Sequence, residues 1–401
     1  MSTPIADALV WLLPAGCTLA GYRATGTLRR EWALMHAMLE HYPRIIIAST
    51  GDAEELEVLR EIVPESLQDR VAVVFEAETE PNPITASVLA ERVAAALGDV
   101  KTIVCRVCEV RGSFYGIDLV YELRSRGIVT AFVARTTEAW TRFVAHETGP
   151  HAEEAVLSGT EEGTVCQISD MLIGTTPVMI SDLAWRYTLD PTNTAVVPNY
   201  ATPVVESELR QERVKGLLLY AGPLVARTRV DTLIQAVAML SEANPQIVLE
   251  VMGDGPHRES LEALAAELKA PIKFIPEATH EDKLARMTTC DIFVHASALE
   301  SQPLELVEAM SRGCPCVVAD AQGLGEVVHH CVTGLRCAGD AQSFAHIIQE
   351  VLADDEWRSM MGSSGVRLAE ASYGLAKVVE AEAQAHRKAI EFALERTRRA
   401  A

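Results

Sequence analysis

Nowhere in its 401 residues does this sequence have an apolar run approaching the roughly 20 residues that a membrane-spanning helix requires. It also lacks a basic leader. The opening MSTPIADALVWLLPAG reads as a first strand rather than a signal peptide, so a cytoplasmic home with no integral membrane segment is expected. Cations are scarce, with 35 Lys and Arg against 56 Asp and Glu and a formal charge of −21. Phosphate backbones demand a basic surface, which excludes a nucleic-acid partner, and broad docking on anionic membranes is disfavoured, leaving room only for peripheral contact. The 11 histidines never fall into a spacing such as HExxH, and the second half has no Asp-x-Asp at a strand end, so no metal is expected. The nine cysteines lack the spacing of a disulfide framework. Cys105-x-x-Cys108 has no second CxxC or His pair beside it and reads as buried structural thiols. Low-complexity tracts and short repeats are absent, and aromatics are only 5%.

What remains is an ordinary α/β composition with 49% apolar residues, on a chain long enough for two domains with separate cores. Leu9–Leu13, Ile45–Ser49, Val71–Phe75, Thr102–Val107, Thr130–Ala134 and Met171–Gly174 read as strands, with helices such as Leu28–Glu40, Ala86–Leu97 and Ile117–Ser125 between them. Such alternation implies parallel, doubly wound sheets with right-handed crossovers. Pro198, Pro203 and the polar run after them read as a linker. A second alternating block has strands Leu217–Ala221, Ile247–Met252, Ile272–Ile275, Ile292–Ala296 and Cys316–Ala319. The expected division is 1–200, a linker at 201–214, 215–375, and a terminal helix at 376–401 that packs back across the domains. The acidic stretch Gly51–Glu80 reads as a solvated face, with Arg23, Arg29 and Arg30 as a compact basic group nearby. Arg396, Arg398 and Arg399 read as a frayed helix end complementing its dipole.

The segment DIFVHASALESQPLELVEAMSRGCPCVVAD, Asp291 to Asp320, carries the most chemistry. A short buried strand leads into a loop, Pro303 opens a helix and Gly313 closes it. Glu300 therefore lies after the carboxyl end of a strand, where open α/β sheets bind ligands, and Glu308 lies on the following helix. An ionised carboxylate accepts two hydrogen bonds from a vicinal diol, whereas the alternative for Glu308 is a helix-face salt bridge. Glu305, in the first helical turn, suits the helix dipole.

This segment resembles the donor-site signature of retaining glycosyltransferases of family four, the glycosyl transferases group 1. Ser297, Glu300, Glu308, Ala309, Met310, Gly313, Pro315 and Val317 stand at matching places. Pro198-Asn199, Ser181, Gly323, Glu326 and Gly334-Leu335 extend the resemblance over roughly Asp170 to Tyr373. It implies the GT-B architecture, two doubly wound Rossmann-like domains facing an interdomain cleft. It also implies transfer of a sugar from a nucleoside diphosphate to a sugar or lipid-linked acceptor, as in polysaccharide biosynthesis, without cofactor or metal. By the same resemblance Glu300 would hold hydroxyls of the transferred sugar and Glu308 those of the ribose. Glu326 is either a site residue or a cap.

Backbone amides in three loops suit the diphosphate: the turn after Gly222, Gly253-Asp254-Gly255-Pro256, and Ser301 to Pro303 running into Leu304. The family's phosphate-clamping Arg and Lys are replaced here by Pro223 and Thr228, and Arg227 and Arg229 flank the gap as candidate substitutes. On the acceptor side, Gly26 belongs to a Gly- and Thr-containing loop after the first strand, and Thr27 doubles as an ordinary N-cap. Arg135, at a strand end, would bind an anion or else pair with Glu138. The rival readings are a noncatalytic sugar-nucleotide or partner-binding protein with a degenerate clamp, and another GT-B activity such as an epimerase or phosphorylase.

Overall fold

The structure, a computed structural model, describes residues 3–75, 86–276 and 278–400. The chain divides into two compact units, Met1–Thr141 with His151–Val197 and Val379–Ala401, and Arg142–Pro150 with Pro198–Val378. Among the described residues no helix is long and apolar enough to cross a membrane.

The first unit is built on β1 (Ala8–Leu12), β2 (Ile45–Ala48), β3 (Val71–Val74), β4 (Thr102–Val107), β5 (Val129–Thr136), β6 (Met171–Gly174) and β7 (Thr194–Val196). They form one parallel sheet in the order β3-β2-β1-β4-β5-β6-β7. Every residue of β1 and β2 is buried, because helices cover both faces of a parallel sheet and its strands are apolar throughout.

Several local expectations change in this unit. The loop after β1 contains a helix, Leu19–Ala24, whose first amides donate to Thr18 Oγ1 (Gly21 N, 2.9 Å) and to the Glu55 carboxylate (Leu19 N, 3.1 Å; Ala20 N, 3.3 Å). Glu55 is thereby buried, although it belongs to the acidic stretch read as solvated; residues 76–80 of that stretch lie outside the described residues. Thr27 heads the helix Leu28–Met38 without a side-chain cap, since its hydroxyl meets Thr25 Oγ1 at 2.9 Å. Arg396 is not frayed: it bonds the Asp170 carboxylate and Thr130 O (3.0 Å). Arg135 is the penultimate residue of β5, at the strand end as expected. Its guanidinium is buried, 3.6 Å from Glu382 and 3.2 Å from Val197 O, so a carboxylate from the terminal helix meets it.

Glu382, on the terminal helix Leu375–Ala400, also receives Arg106 Nε at 2.5 Å, and the Arg106 guanidinium lies 3.8 Å over the Trp11 ring. Burial alone would raise the Glu382 pKa, but Arg106 and Arg135 outweigh it and hold the carboxyl down at about 2. This is why residues from Val379 onward belong to the first unit.

The second unit repeats the plan with β8 (Val214–Ala221), β9 (Val248–Met252), β10 (Ile272–Ile275), β11 (Cys290–His295), β12 (Cys316–Ala319) and β13 (Gly334–Cys337). The sheet is again parallel, in the order β10-β9-β8-β11-β12-β13. Its core joins both faces of these strands to the helices Val230–Ala243, Leu304–Ser311 and Ala341–Ala353. The strand order reverses between β8 and β11. At such a switch point the loops leaving the two strands diverge to opposite faces and leave a crevice at their carboxyl ends.

Candidate active site

At that crevice the loop after β8 and the loop after β11 are stitched together by backbone. Ala298 N donates to Arg227 O at 2.9 Å. Arg227 Nη1 bonds Glu300 Oε1, and Ser297 Oγ donates to the same oxygen at 3.0 Å. Both side chains of the ion pair are 10% exposed, and the guanidinium stacks 3.9 Å from the centre of the Phe143 ring. Burial raises the Glu300 pKa, opposed by Arg227 and by the Ser297 hydroxyl.

Of the two positions that depart from the family's clamp, Pro223 is exposed and Thr228 has turned inward. Thr228 is fully buried and donates to Pro223 O (3.0 Å) and Val225 O (2.8 Å), while Tyr220 OH donates to Pro223 O at 2.9 Å. The turn is thus held rigid from beneath, and Arg227 presents the charge. Arg229, left-handed at φ 50°, lies against the turn at Gly339, its Nη1 3.6 Å from where a Cβ there would sit. Of the two candidate arginines, the structure brings only Arg227 to Glu300. The N–H groups of Ala226 and Arg227 donate to the Glu147 carboxylate (3.3 and 3.1 Å), so this turn already holds an anion on its amides.

The glycine loops are packed to backbone contact. A Cβ on Gly253 would stand 2.0 Å from Gly222 O, and one on Gly323 would stand 2.2 Å from Ser301 O and 2.4 Å from Glu300 O. Gly323 is therefore the floor on which the Glu300–Ser301 turn rests. A Cβ on Gly255 would stand 2.4 Å from Leu224 O. Ser301 is buried, and the chain continues through Pro303, the N-cap, into Leu304 and its helix. From the other side the Pro198-Asn199 turn holds this loop: Asn199 N donates to Gln302 Oε1 (2.5 Å) and Asn199 Nδ2 to Gln302 O (3.0 Å).

Glu308 is fully buried on the same helix, taking a hydrogen bond from Thr202 Oγ1 at 2.7 Å and lying 3.3 Å from His280 Nε2. Its carboxylate faces buried groups rather than solvent, with His280 within ion-pair distance. Glu305 pairs with Lys283 at 3.3 Å. Glu326 stands half-buried in the short turn of helix Leu324–Val327, beyond Gly323. Gly26 (φ 74°) and Arg135 belong to the first unit.

His295, at the end of β11, was legible only as a polar residue in a buried run. Its ring lies 5.6 Å from Tyr220, Nδ1 has no hydrogen-bond partner among the described residues, and burial with Arg227 nearby pushes its pKa down to about 3. Thr202, His280, Phe143 and Glu147 left no signal, because each reaches the site from a distant stretch of sequence. Among the described residues no cluster of His, Cys, Asp or Glu could hold a metal. Cys105 is buried in β4, and burial raises both its thiol pKa and that of Cys108, the latter to about 12, the behaviour of structural thiols.

Residues 206–367 match the family described as Glycosyl transferases group 1. The chain is similar to the lipopolysaccharide core biosynthesis glycosyltransferase LpsE of Rhizobium meliloti, 26% identical over 49% of this chain and 58% of that protein. It is also similar to the D-inositol 3-phosphate glycosyltransferase of Corynebacterium efficiens, 32% identical over 49% of this chain and 52% of that protein. The chain spans about half the length of the curated relatives it matches. Among solved structures, Anabaena Alr3699/HepE in complex with UDP aligns over 94% of this chain and 98% of its own, with a TM-score of 0.69 and 16% identity. WaaG, a glycosyltransferase involved in lipopolysaccharide biosynthesis, aligns over 94% and 98%, with a TM-score of 0.65 and 16% identity. At these identities the structural likeness is one of fold. Residues 206–367 thus resemble the glycosyl transferases group 1 family, on a chain with the GT-B fold.

Proposed function

We propose that this protein is a retaining glycosyltransferase, independent of metal and cofactor, that moves a sugar from a nucleoside diphosphate to a sugar or lipid-linked acceptor. The observation that carries the reading is the buried Arg227–Glu300 pair at the switch point, one turn of chain before the helix that holds Glu308. In this reading Glu300 accepts hydroxyls of the transferred sugar and Glu308 those of the ribose. Arg227, with the Ala226 and Arg227 amides now on Glu147, stabilises the charge that develops on the departing diphosphate, a term worth several kcal/mol when donors are preorganised. Retention needs no protein nucleophile if the leaving diphosphate itself takes the acceptor's proton on the face it leaves, the protein positioning both partners. Support for a nucleotide-sugar donor also comes from a relative named as a GDP-mannose-dependent mannosyltransferase and from the fold neighbour solved with UDP. A reducing, cytoplasmic setting is supported by nine cysteines without a disulfide.

The test is turnover of the purified chain against a panel of nucleoside-diphosphate sugars, with product anomeric configuration read by NMR and the assay repeated in excess chelator. Transfer with retained configuration, unaffected by chelator, is expected. An inverted product refutes retention, and loss of activity restored by a divalent cation refutes metal independence. Donor binding without turnover would favour the noncatalytic sugar-nucleotide-binding alternative, and absence of both would favour the partner-binding one.

A further inference from the structure

At the opposite end of the second sheet, where β8, β11 and β12 begin, a cavity of about 460 Å³ is lined by Arg213, Lys215, Asp291, Arg312, Gly362 and Arg358, among others. In its lining Asp291 and Asp355 face four cations, an excess of two positive charges on a chain whose net charge is −21. Most of these groups are committed. Arg213 donates to Cys290 O (2.6 Å), Met287 O (3.3 Å) and Arg312 O (2.8 Å), closing helix ends, and Arg358 pairs with Asp291 at 3.2 Å and with Asp355.

Arg312 is different. Its residue is only 2% exposed, yet its one side-chain hydrogen bond among the described residues runs from Nη1 to Ser311 Oγ (3.1 Å), Nε has no partner, and no carboxylate lies within ion-pair distance. A buried guanidinium without an anion is costly, and one left in that state points to an anion from outside. Its pKa is lowered, first by burial, with Glu308 one helical turn back and Glu208 opposing from beyond ion-pair distance. Gly313 and Gly362, both in the lining, are packed to backbone contact: a Cβ on Gly362 would meet Gly313 O at 2.2 Å. Lys215 stands at the rim, 77% exposed and 3.5 Å from Asp355, free to swing onto a ligand.

We infer that this cavity is a binding site for a phosphate-class dianion, either inorganic phosphate or a small phosphate monoester, with Arg312 at its base and Lys215 at its mouth. The guanidinium fork and the two excess charges suit a dianionic, multi-oxygen group better than a monocarboxylate. The cavity lies at the start of β11, whereas Glu300 follows its far end, roughly six residues or ~20 Å along the strand; Arg312 itself comes one helical turn after Glu308.

The test measures binding of inorganic phosphate and of glycerol 1-phosphate to the full chain by titration calorimetry, for wild type, Lys215→Glu, Arg312→Met and Arg227→Met. Wild type is expected to bind at least one of the two, the tighter one identifying the source. Lys215→Glu, a surface change, should weaken it about tenfold or more with unaltered thermal unfolding, and Arg312→Met should abolish it. Arg227→Met should leave it unchanged. The inference is overturned if wild type binds neither probe up to about 10 mM, if Lys215→Glu binds like wild type, or if Arg227→Met is the variant that loses binding.

Discussion

Replacing Arg227 by Met, alone and together with Glu300→Gln, puts the central pair to a quantitative test. In the single variant Glu300 keeps the Ser297 hydroxyl at 3.0 Å but loses its cation while remaining buried. Removing one partner of a buried ion pair costs about 3–5 kcal/mol; the remaining hydrogen bond and the 10% exposure reduce the expected loss here to about 2–4 kcal/mol. Glu300→Gln should cost less, since Arg227 retains the Phe143 ring at 3.9 Å. The double variant, which buries no unpaired charge, should be more stable than the sum of the singles by about 2 kcal/mol. Acidity supplies a second handle. Burial already raises the Glu300 pKa and Arg227 opposes the rise, so without Arg227 the folded pKa climbs further above the unfolded value. A raised carboxyl pKa means that stability is lost as pH rises from the unfolded value, so the deficit of Arg227→Met must shrink at pH 5 relative to pH 8. Urea unfolding followed by far-UV circular dichroism at both pH values reads all of this. A coupling below about 0.5 kcal/mol, or a deficit that does not change with pH, would refute the buried pair.

Glu308→Gln should weaken binding of the free nucleoside by about 1.5–3 kcal/mol as a charged hydrogen bond is lost, checked by calorimetry; unchanged affinity removes Glu308 from the site. Gly323→Ala places a methyl 2.2 Å from Ser301 O at φ 86°, so a loss of at least about 1–3 kcal/mol in stability and a marked fall in donor affinity are expected from unfolding curves and titration. His386, buried with Nδ1 2.9 Å from Tyr42 OH, has its pKa pushed down to about 4 by burial, against the pull of Glu382. Its unfolded form takes a proton first as pH falls through 6.5, so lowering pH from 7 to 5 should destabilise the first unit by about 2 kcal/mol, and His386→Gln should flatten that limb of the stability profile.

The sequence by itself determined what is periodic or local. Uniformly apolar strands such as Ile45–Ala48 could only sit in a parallel sheet covered on both faces, and the run from Ile292 through Pro303 to Gly313 placed Glu300 on a loop and Glu308 on a helix before any coordinates. The departures at Pro223 and Thr228 were equally visible. Their outcome was not, because it depends on which atoms fill the space beneath the turn: Tyr220 and Thr228 bond Pro223 O from within, leaving Arg227 rather than Arg229 to meet Glu300. Charges were the least legible feature. Glu55, Arg135 and Glu382 look like surface residues in a sequence, since a charge is buried only where a partner from a remote segment meets it. Thr202 reaches Glu308 across 106 residues and Arg106 reaches Glu382 across 276, separations over which one sequence carries no pairing signal and only the tertiary structure decides.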